Sequence, residues 1–154
     1  EIEIMERAIN ITGDAFKRVL EFVQPGVMEY EVEAEVTHQF IKSGANGHAY
    51  EPILASGANS CVLHYVKNNQ KCKEGDLLLM DFGAEYANYA ADLSRTIPVS
   101  GQFTDRQRKV YDAVLSVMNG AKELLVPGTI LEDYHKEVGK MMESALLDLK
   151  LLTP

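Results

Sequence analysis

Two pairs of helical segments, each divided by a Pro-Gly dipeptide, lie on either side of a block of short apolar runs in this 154-residue chain. Apolar residues at every third or fourth position predict helices over 2–23, 29–42, 104–126 and 129–149. Pro25-Gly26 separates the first pair and Pro127-Gly128 the second, 102 residues further along. Helices grouped apart from strands are typical of an α+β fold, and we predict that class.

The last two helices each begin with the pattern of a capping box, in which Ser or Thr is followed three residues later by Glu or Gln. Thr104 with Gln107 predicts the start of the third helix, and Thr129 with Glu132 the start of the fourth. Both boundaries are thus predicted from side-chain hydrogen bonding as well as from periodicity.

The recurrence of helix, Pro-Gly and helix suggests a duplicated unit made of a helix pair and a sheet. We predict that 1–101 is a complete first repeat and that 102–154 contains only the helices of a second, whose sheet would follow Pro154. Because the chain starts without Met inside a helical pattern, we interpret both ends as cut ends of a longer protein. Two unrelated helical hairpins are the alternative, since Pro-Gly commonly follows a helix.

The central block predicts strands over 53–55, 61–65, 77–80 and 93–99, with turn residues between them. His64 lies on the second of these runs, where a buried, hydrogen-bonded histidine is the usual interpretation and a substrate-contacting one the less common. The remaining histidines carry no signal of a site, since two lie on predicted helices and one in a loop: His38, His135 and His48.

Asp81 and Asp92 lie on the two strands of the hairpin predicted from Asp76 to Val99. With the turn centred between residues 86 and 87, Asp81 faces Asp92. Directly opposed side chains have Cβ atoms about 4.5–5.5 Å apart, close enough for two carboxylates to share metal ions. Such a pair is unfavourable without a cation, so the pattern indicates a metal site. A register slip of one or two residues, with Asp92 facing solvent, remains the alternative.

Net charge and hydropathy exclude several classes of partner. The formal charge is −8 and no Lys/Arg cluster occurs, so the chain would be repelled by nucleic acid and by anionic membranes. No apolar run approaches the length of about 20 residues that a membrane-spanning helix needs. With only Cys61 and Cys72 in the chain, free thiols in a reducing compartment, the cytoplasm, are expected.

Four segments of the chain closely resemble the aminopeptidase P and prolidase branch of the creatinase/aminopeptidase-type, or pita-bread, metallopeptidases. The segments, in family order, are Tyr50–Asn59, Leu63-His64-Tyr65, Gly75–Tyr86 and Tyr89–Gly101. The flanking helices agree with the same fold. The resemblance implies a pita-bread fold whose first repeat is complete.

The resemblance also implies a function and its residues. Asp81 and Asp92 match metal ligands, one binding a single ion and the other bridging two, and His64 matches a histidine that contacts substrate and transition state. Two divalent ions, Mn with Co or Zn as alternatives, would serve hydrolysis of the N-terminal Xaa-Pro bond of peptides with proline second. The family's other ligands, one His and two Glu, have no matching motif before Pro154, so the chain alone is expected to be inactive.

Other functions remain open at this stage. A non-catalytic peptide- or protein-binding module of the same fold is one alternative, although the presence of Asp81, Asp92 and His64 together favours an enzyme. A prolidase, a creatinase-like hydrolase and a methionine aminopeptidase are the others. A homodimer is expected, because an unpaired strand edge and an apolar face left by a missing sheet would promote self-association.

Overall fold

The computed structural model describes residues 1–153, which form two compact units, one ending at Gln102 and one beginning at Phe103. The first unit contains, in order, α1 (Ile2–Phe22), α2 (Glu29–Lys42), β1 (Gly47–His48), β2 (Ile53–Ser56), the 3₁₀ helix Gly57–Cys61, β3 (Leu77–Phe82), β4 (Ala84–Tyr86), β5 (Tyr89–Ala90) and β6 (Leu93–Pro98). The second contains α3 (Asp105–Glu123) and α4 (Leu131–Asp148). The predicted α+β class is confirmed. That the units are repeats of one another stays a prediction.

The helices of the first unit form because one side of each is apolar and can be buried against the sheets. The buried residues of this core are Ile11, Ala15, Val19, Val32, Val36, Phe40, Leu54, Cys72, Leu78, Met80, Phe82, Ala84 and Val99. One buried polar side chain ties α1 to the strands: the Thr12 hydroxyl donates to the carbonyl of Ala8 (2.9 Å) and accepts from the amide of Ala84 (2.9 Å). No helix within residues 1–153 is long and apolar enough to cross a membrane.

The strands form two antiparallel three-stranded sheets, in the orders β1-β4-β5 and β2-β3-β6. In the second sheet Asp81 faces Ser94, so the predicted pairing of Asp81 with Asp92 is wrong. The turn consists of Ala87 and Asn88, with φ of 51° and 68°, and is therefore centred one position later than predicted. Two-residue turns with positive φ match the twist of paired strands, and that shift moves every partner by two residues.

The long hairpin passes from one sheet to the other at Gly83. A Cβ atom at this position would lie 1.7 Å from the carbonyl oxygen of Ala91, so only glycine permits the close approach of the two backbones. Beyond Gly83 the two segments pair again, with the Ala91 amide donating to the carbonyl of Ala84 at 2.9 Å. Asp92, which follows Ala91, lies between β5 and β6 and belongs to neither strand.

Strand β3 alternates between buried and half-buried side chains. Leu78, Met80 and Phe82 point into the core, so Asp81 lies on the opposite face of the sheet. Asp81 shares this face with its two cross-strand partners, Ile53 and Ser94.

The predicted strand over 61–65 is wrong, since this segment contains the end of the 3₁₀ helix and a turn. The outer edge of β2, where another strand could pair, is already occupied by side chains. The Leu54 amide donates to Asn68 Oδ1 at 3.0 Å, and the Ser56 amide donates to Glu29 Oε1 at 2.8 Å. Within the run Tyr65 is buried, but Val62 is exposed and Leu63 is 92% exposed.

In the second unit, the capping box at α3 is confirmed: the Gln107 amide donates to the Thr104 hydroxyl (3.3 Å) and the Thr104 amide to Gln107 Oε1 (2.9 Å). The predicted box at α4 is wrong, because that helix has Ile130 as its N-cap without a side-chain hydrogen bond. The Thr129 hydroxyl instead donates to the carbonyl of Leu124 at 2.8 Å, which fastens the turn after α3.

Candidate metal centre

The side chains of Asp81 and Asp92 converge on the hydroxyl of Tyr50, although the two residues are not cross-strand partners. Tyr50 Oη lies 2.7 Å from Asp81 Oδ1 and 3.0 Å from Asp92 Oδ1. Three separate parts of the chain meet here: the segment before β2, the end of strand β3 and the link between β5 and β6. This convergence depends on Gly83, where the hairpin passes from one sheet to the other, because Asp92 on the facing segment is then not paired in a strand.

The negative charges of the two carboxylates are not neutralised by an ion pair among the described residues. Tyr50 has one hydroxyl proton, so it can donate fully to only one carboxylate at a time. Asp81 accepts a further bond from the Ser94 hydroxyl at 3.1 Å. Among residues 1–153, no ion pair with Lys, Arg or His involves either aspartate. Two adjacent carboxylates without a cationic partner suit a divalent cation.

Burial raises the pKa of Tyr50 above its ordinary value, and its hydrogen bonds to Asp81 and Asp92 raise it further. The hydroxyl therefore stays protonated at neutral pH and acts as a donor. Hydrogen-bonding groups just outside a metal site orient its ligands, and the Tyr50 hydroxyl orients the two carboxylates in the same way.

The donor set of the pair consists of carboxylate oxygens, which suit hard divalent ions such as Mn and Mg. Within the described residues 1–153, no cluster of three or more His, Cys, Asp or Glu side chains could hold a metal ion. The pair therefore fits part of a metal site, and ligands from elsewhere would be needed to complete it.

His64 lies on an exposed turn with a φ of 52°. It is therefore not the buried strand histidine of the ordinary interpretation. Positive φ is uncommon for residues other than glycine and is often found at functional sites.

Tyr50 belongs to the site but is not among the site residues predicted from the sequence. The available signal was its place at the start of the Tyr50–Asn59 segment, immediately before a predicted strand. The periodicity of the chain does not reveal it, since Tyr50 reaches Asp81 across 31 positions and Asp92 across 42.

The chain matches the sequence profile of metallopeptidase family M24 over residues 3–151. It is 42% identical over 152 residues to the Xaa-Pro aminopeptidase of Escherichia coli, covering 99% of this chain and 34% of the relative. The solved structure of aminopeptidase PepP of Pseudomonas aeruginosa superposes with a TM-score of 0.97 at 36% identity, covering all of this chain and 35% of that one. A Zn-substituted E. coli aminopeptidase P, solved in complex with product, superposes with a TM-score of 0.97 at 42% identity and with the same coverage.

The chain thus spans about a third of the length of the relatives it matches.

Proposed function

The chain belongs to metallopeptidase family M24, and on this basis we propose that it is part of a longer aminopeptidase that hydrolyses the N-terminal Xaa-Pro bond of peptides. The observation that carries the proposal is the pair of aspartates, Asp81 and Asp92, held by one tyrosine hydroxyl without a cationic partner among the described residues. The Xaa-Pro specificity is supported by the relatives, which carry that name at about 40% identity.

In this proposal Asp81 and Asp92 would help to hold two divalent metal ions. When bound, such ions lower the pKa of water and so supply a nucleophile at neutral pH. Tyr50 keeps the two carboxylates oriented through its proton. His64 contacts the substrate and stabilises negative charge on the carbonyl oxygen of the scissile bond.

We propose Mn as the metal, with Co and Zn as alternatives. The oxygen donors of the aspartate pair support Mn, and a histidine among the remaining ligands would keep Mn, Co and Zn in competition. One His and two Glu from residues outside this chain would complete the site. We further propose a cytoplasmic location. Cys61 and Cys72 support it, because both thiols are free.

The test uses the full-length protein that contains this chain. Two divalent ions per subunit by elemental analysis, together with release of the first residue from peptides with proline second, would support the proposal. Bound metal without cleavage of any peptide would favour the non-catalytic binding module. Cleavage of Xaa-Pro dipeptides alone would indicate a prolidase, and cleavage after N-terminal Met a methionine aminopeptidase.

The 154-residue chain by itself is expected to bind metal weakly and to lack peptidase activity. Two carboxylates supply too few ligands to close a pair of metal sites, and no third metal-binding side chain joins them among residues 1–153. Calorimetric titration with Mn would measure the binding, and a proline-peptide assay the activity. Tight binding of two ions per chain would contradict the expectation.

The chain is also expected to self-associate, with a two-fold homodimer as the form we propose. Within the described residues, β6 pairs on one side only, with β3, and unpaired strand edges invite strand addition. In the second unit, many large apolar side chains are exposed: Val114, Met118, Leu125, Val126, Ile130, Leu131, Leu151 and Leu152. Light scattering at micromolar concentration measures the association, and a monomer that binds little hydrophobic dye would contradict both arguments.

A further inference from the structure

We propose that Glu29 is a positioning residue for His64: its buried carboxylate fastens the loop 57–70, and this fixes where His64 meets the substrate. The inference rests on the function proposed above for His64 and adds to it a residue that lies 35 positions earlier in the chain.

Apart from the buried ring of Tyr65, the loop 57–70 has little apolar packing to hold it in place. The side chains of Cys61, Val62, Leu63 and His64 are all exposed. The backbone takes three positive φ angles, 53° at Gly57, 52° at His64 and 45° at Asn68. A segment with so little buried apolar surface needs other contacts to keep one conformation.

Glu29 supplies several of those contacts from the first residue of α2, where it is completely buried, and the buried side chain of Asn68 supplies others by bonding to Leu54 and Pro52. Its Oε1 accepts from the amide of Ser56 (2.8 Å), the hydroxyl of Ser56 (2.7 Å) and the amide group of Asn59 (3.2 Å). Its Oε2 accepts from the hydroxyl of Tyr65 (2.7 Å) and the backbone amide of Gln70 (2.9 Å). The Glu29 amide in turn donates to the carbonyl of Gln70 at 2.9 Å. One carboxylate thus joins the beginning, the middle and the end of the loop.

The Glu29 carboxylate stays ionised in this place. Burial by itself would raise the pKa of its carboxyl group, but the donors from Ser56, Gln70 and Tyr65 outweigh burial and hold the pKa below its ordinary value. Among residues 1–153, no Lys, Arg or His forms an ion pair with it. The charge is therefore compensated by loop donors, and charge-assisted hydrogen bonds of this kind are stronger than neutral ones.

The contact most relevant to His64 comes from its neighbour Tyr65. The Tyr65 ring is buried and its hydroxyl donates to Glu29. This contact fixes the backbone next to His64, while the His64 imidazole stays exposed. Replacing Glu29 with glutamine would put an NH₂ group where one of the accepting oxygens lies, and loop donors would then face a donor.

The experiment is a double-mutant cycle in the full-length enzyme, with kcat and KM measured on a proline peptide for Glu29→Gln, His64→Ala and the double variant. Losing a group that stabilises transition-state charge costs about 10²–10³-fold, and we expect that loss for His64→Ala. Misplacement by about 1 Å can cost about 10²-fold, so Glu29→Gln should lower kcat by about tenfold or more and change KM less than kcat. In the His64→Ala background, Glu29→Gln should change kcat by less than about twofold.

Two further variants keep the test decisive. Tyr65→Phe removes a single hydroxyl donor and leaves the ring in place, so it reports on the same coupling if Glu29→Gln fails to fold. Glu35→Gln, on the same helix, breaks only an ion pair with Arg18 and should leave kcat within about twofold.

A structural measurement separates this inference from the proposed function. Lys67 is exposed on the loop, so trypsin cleavage after it should be about tenfold faster in Glu29→Gln than in wild type or Glu35→Gln, because cleavage follows local opening. If the kcat losses of Glu29→Gln and His64→Ala multiply in the double variant, the two residues act independently and the inference is overturned. An inactive wild type would instead overturn the proposed function, and an unchanged rate of cleavage at Lys67 would then overturn the anchoring as well.

Discussion

Replacing Asp92 with alanine is expected to lower kcat/KM of the full-length protein on a proline peptide by about a thousandfold or more. Loss of an outer partner of a metal ligand already costs about 10–100-fold, and loss of a ligand should cost more. In the structure, Asp92 lies outside the strand ladder and its carboxylate meets that of Asp81 at Tyr50. The metal content should fall below two ions per subunit in the same variant, as measured by elemental analysis.

The matched control is Asp14→Ala, which removes an exposed carboxylate from α1. Asp14 forms only a surface ion pair with Lys17, and such pairs contribute little. Its activity and metal content should therefore equal those of wild type. Full activity in Asp92→Ala would show that the assignment of Asp92 as a metal ligand is wrong.

Replacing Gly83 with alanine is expected to lower the free energy of unfolding by about 3 kcal/mol or more, at the upper end of the range for overpacked sites. The new Cβ would lie 1.7 Å from the carbonyl oxygen of Ala91 and 2.5 Å from its carbonyl carbon. Both atoms belong to the backbone, so no side-chain movement can relieve the clash. Relief requires the strands to separate where the hairpin passes between the sheets, which would also displace Asp92.

Urea unfolding measures the effect, and Gly13→Ala is the control. Gly13 lies within α1, and an added Cβ there has no atom within 4 Å. Alanine is the better helix former by about 0.5–1 kcal/mol, so Gly13→Ala should stabilise the protein slightly. If Gly83→Ala were as stable as wild type, the argument for a backbone contact at the sheet crossing would fail.

The helices were predictable from the sequence because the signals that define them are local. The boundaries of α2 agree with the prediction, 29–42, and α1 ends one residue earlier than predicted. The Thr104 capping box was also correct, since its two hydrogen bonds join residues three positions apart. Thr129 has the same spacing to Glu132, but its hydroxyl donates to the carbonyl of Leu124 instead. Local patterns thus predict which groups can pair, and competing partners decide which do.

The strands were less predictable because their partners are distant in the chain. The segment 61–65 has the composition of a strand, but Asn68 and Glu29 already occupy the edge of β2 where it would have to pair. The register of the hairpin moved by two residues because its turn formed at Ala87 and Asn88. Neither outcome can be derived from apolar periodicity.

The sequence by itself determined the α+β class, the positions of the four helices and the resemblance that selects Asp81, Asp92 and His64, because each depends on residue types at short spacing. Only the tertiary structure decided that Tyr50 joins the two aspartates and that Glu29 holds the loop of His64. Those contacts span from 27 to 42 positions, and the glycine that permits the first of them faces the backbone carbonyl of Ala91, in the link between β5 and β6. Such contacts form only when chain closure and core packing bring distant segments together, so no local pattern in the sequence encodes them.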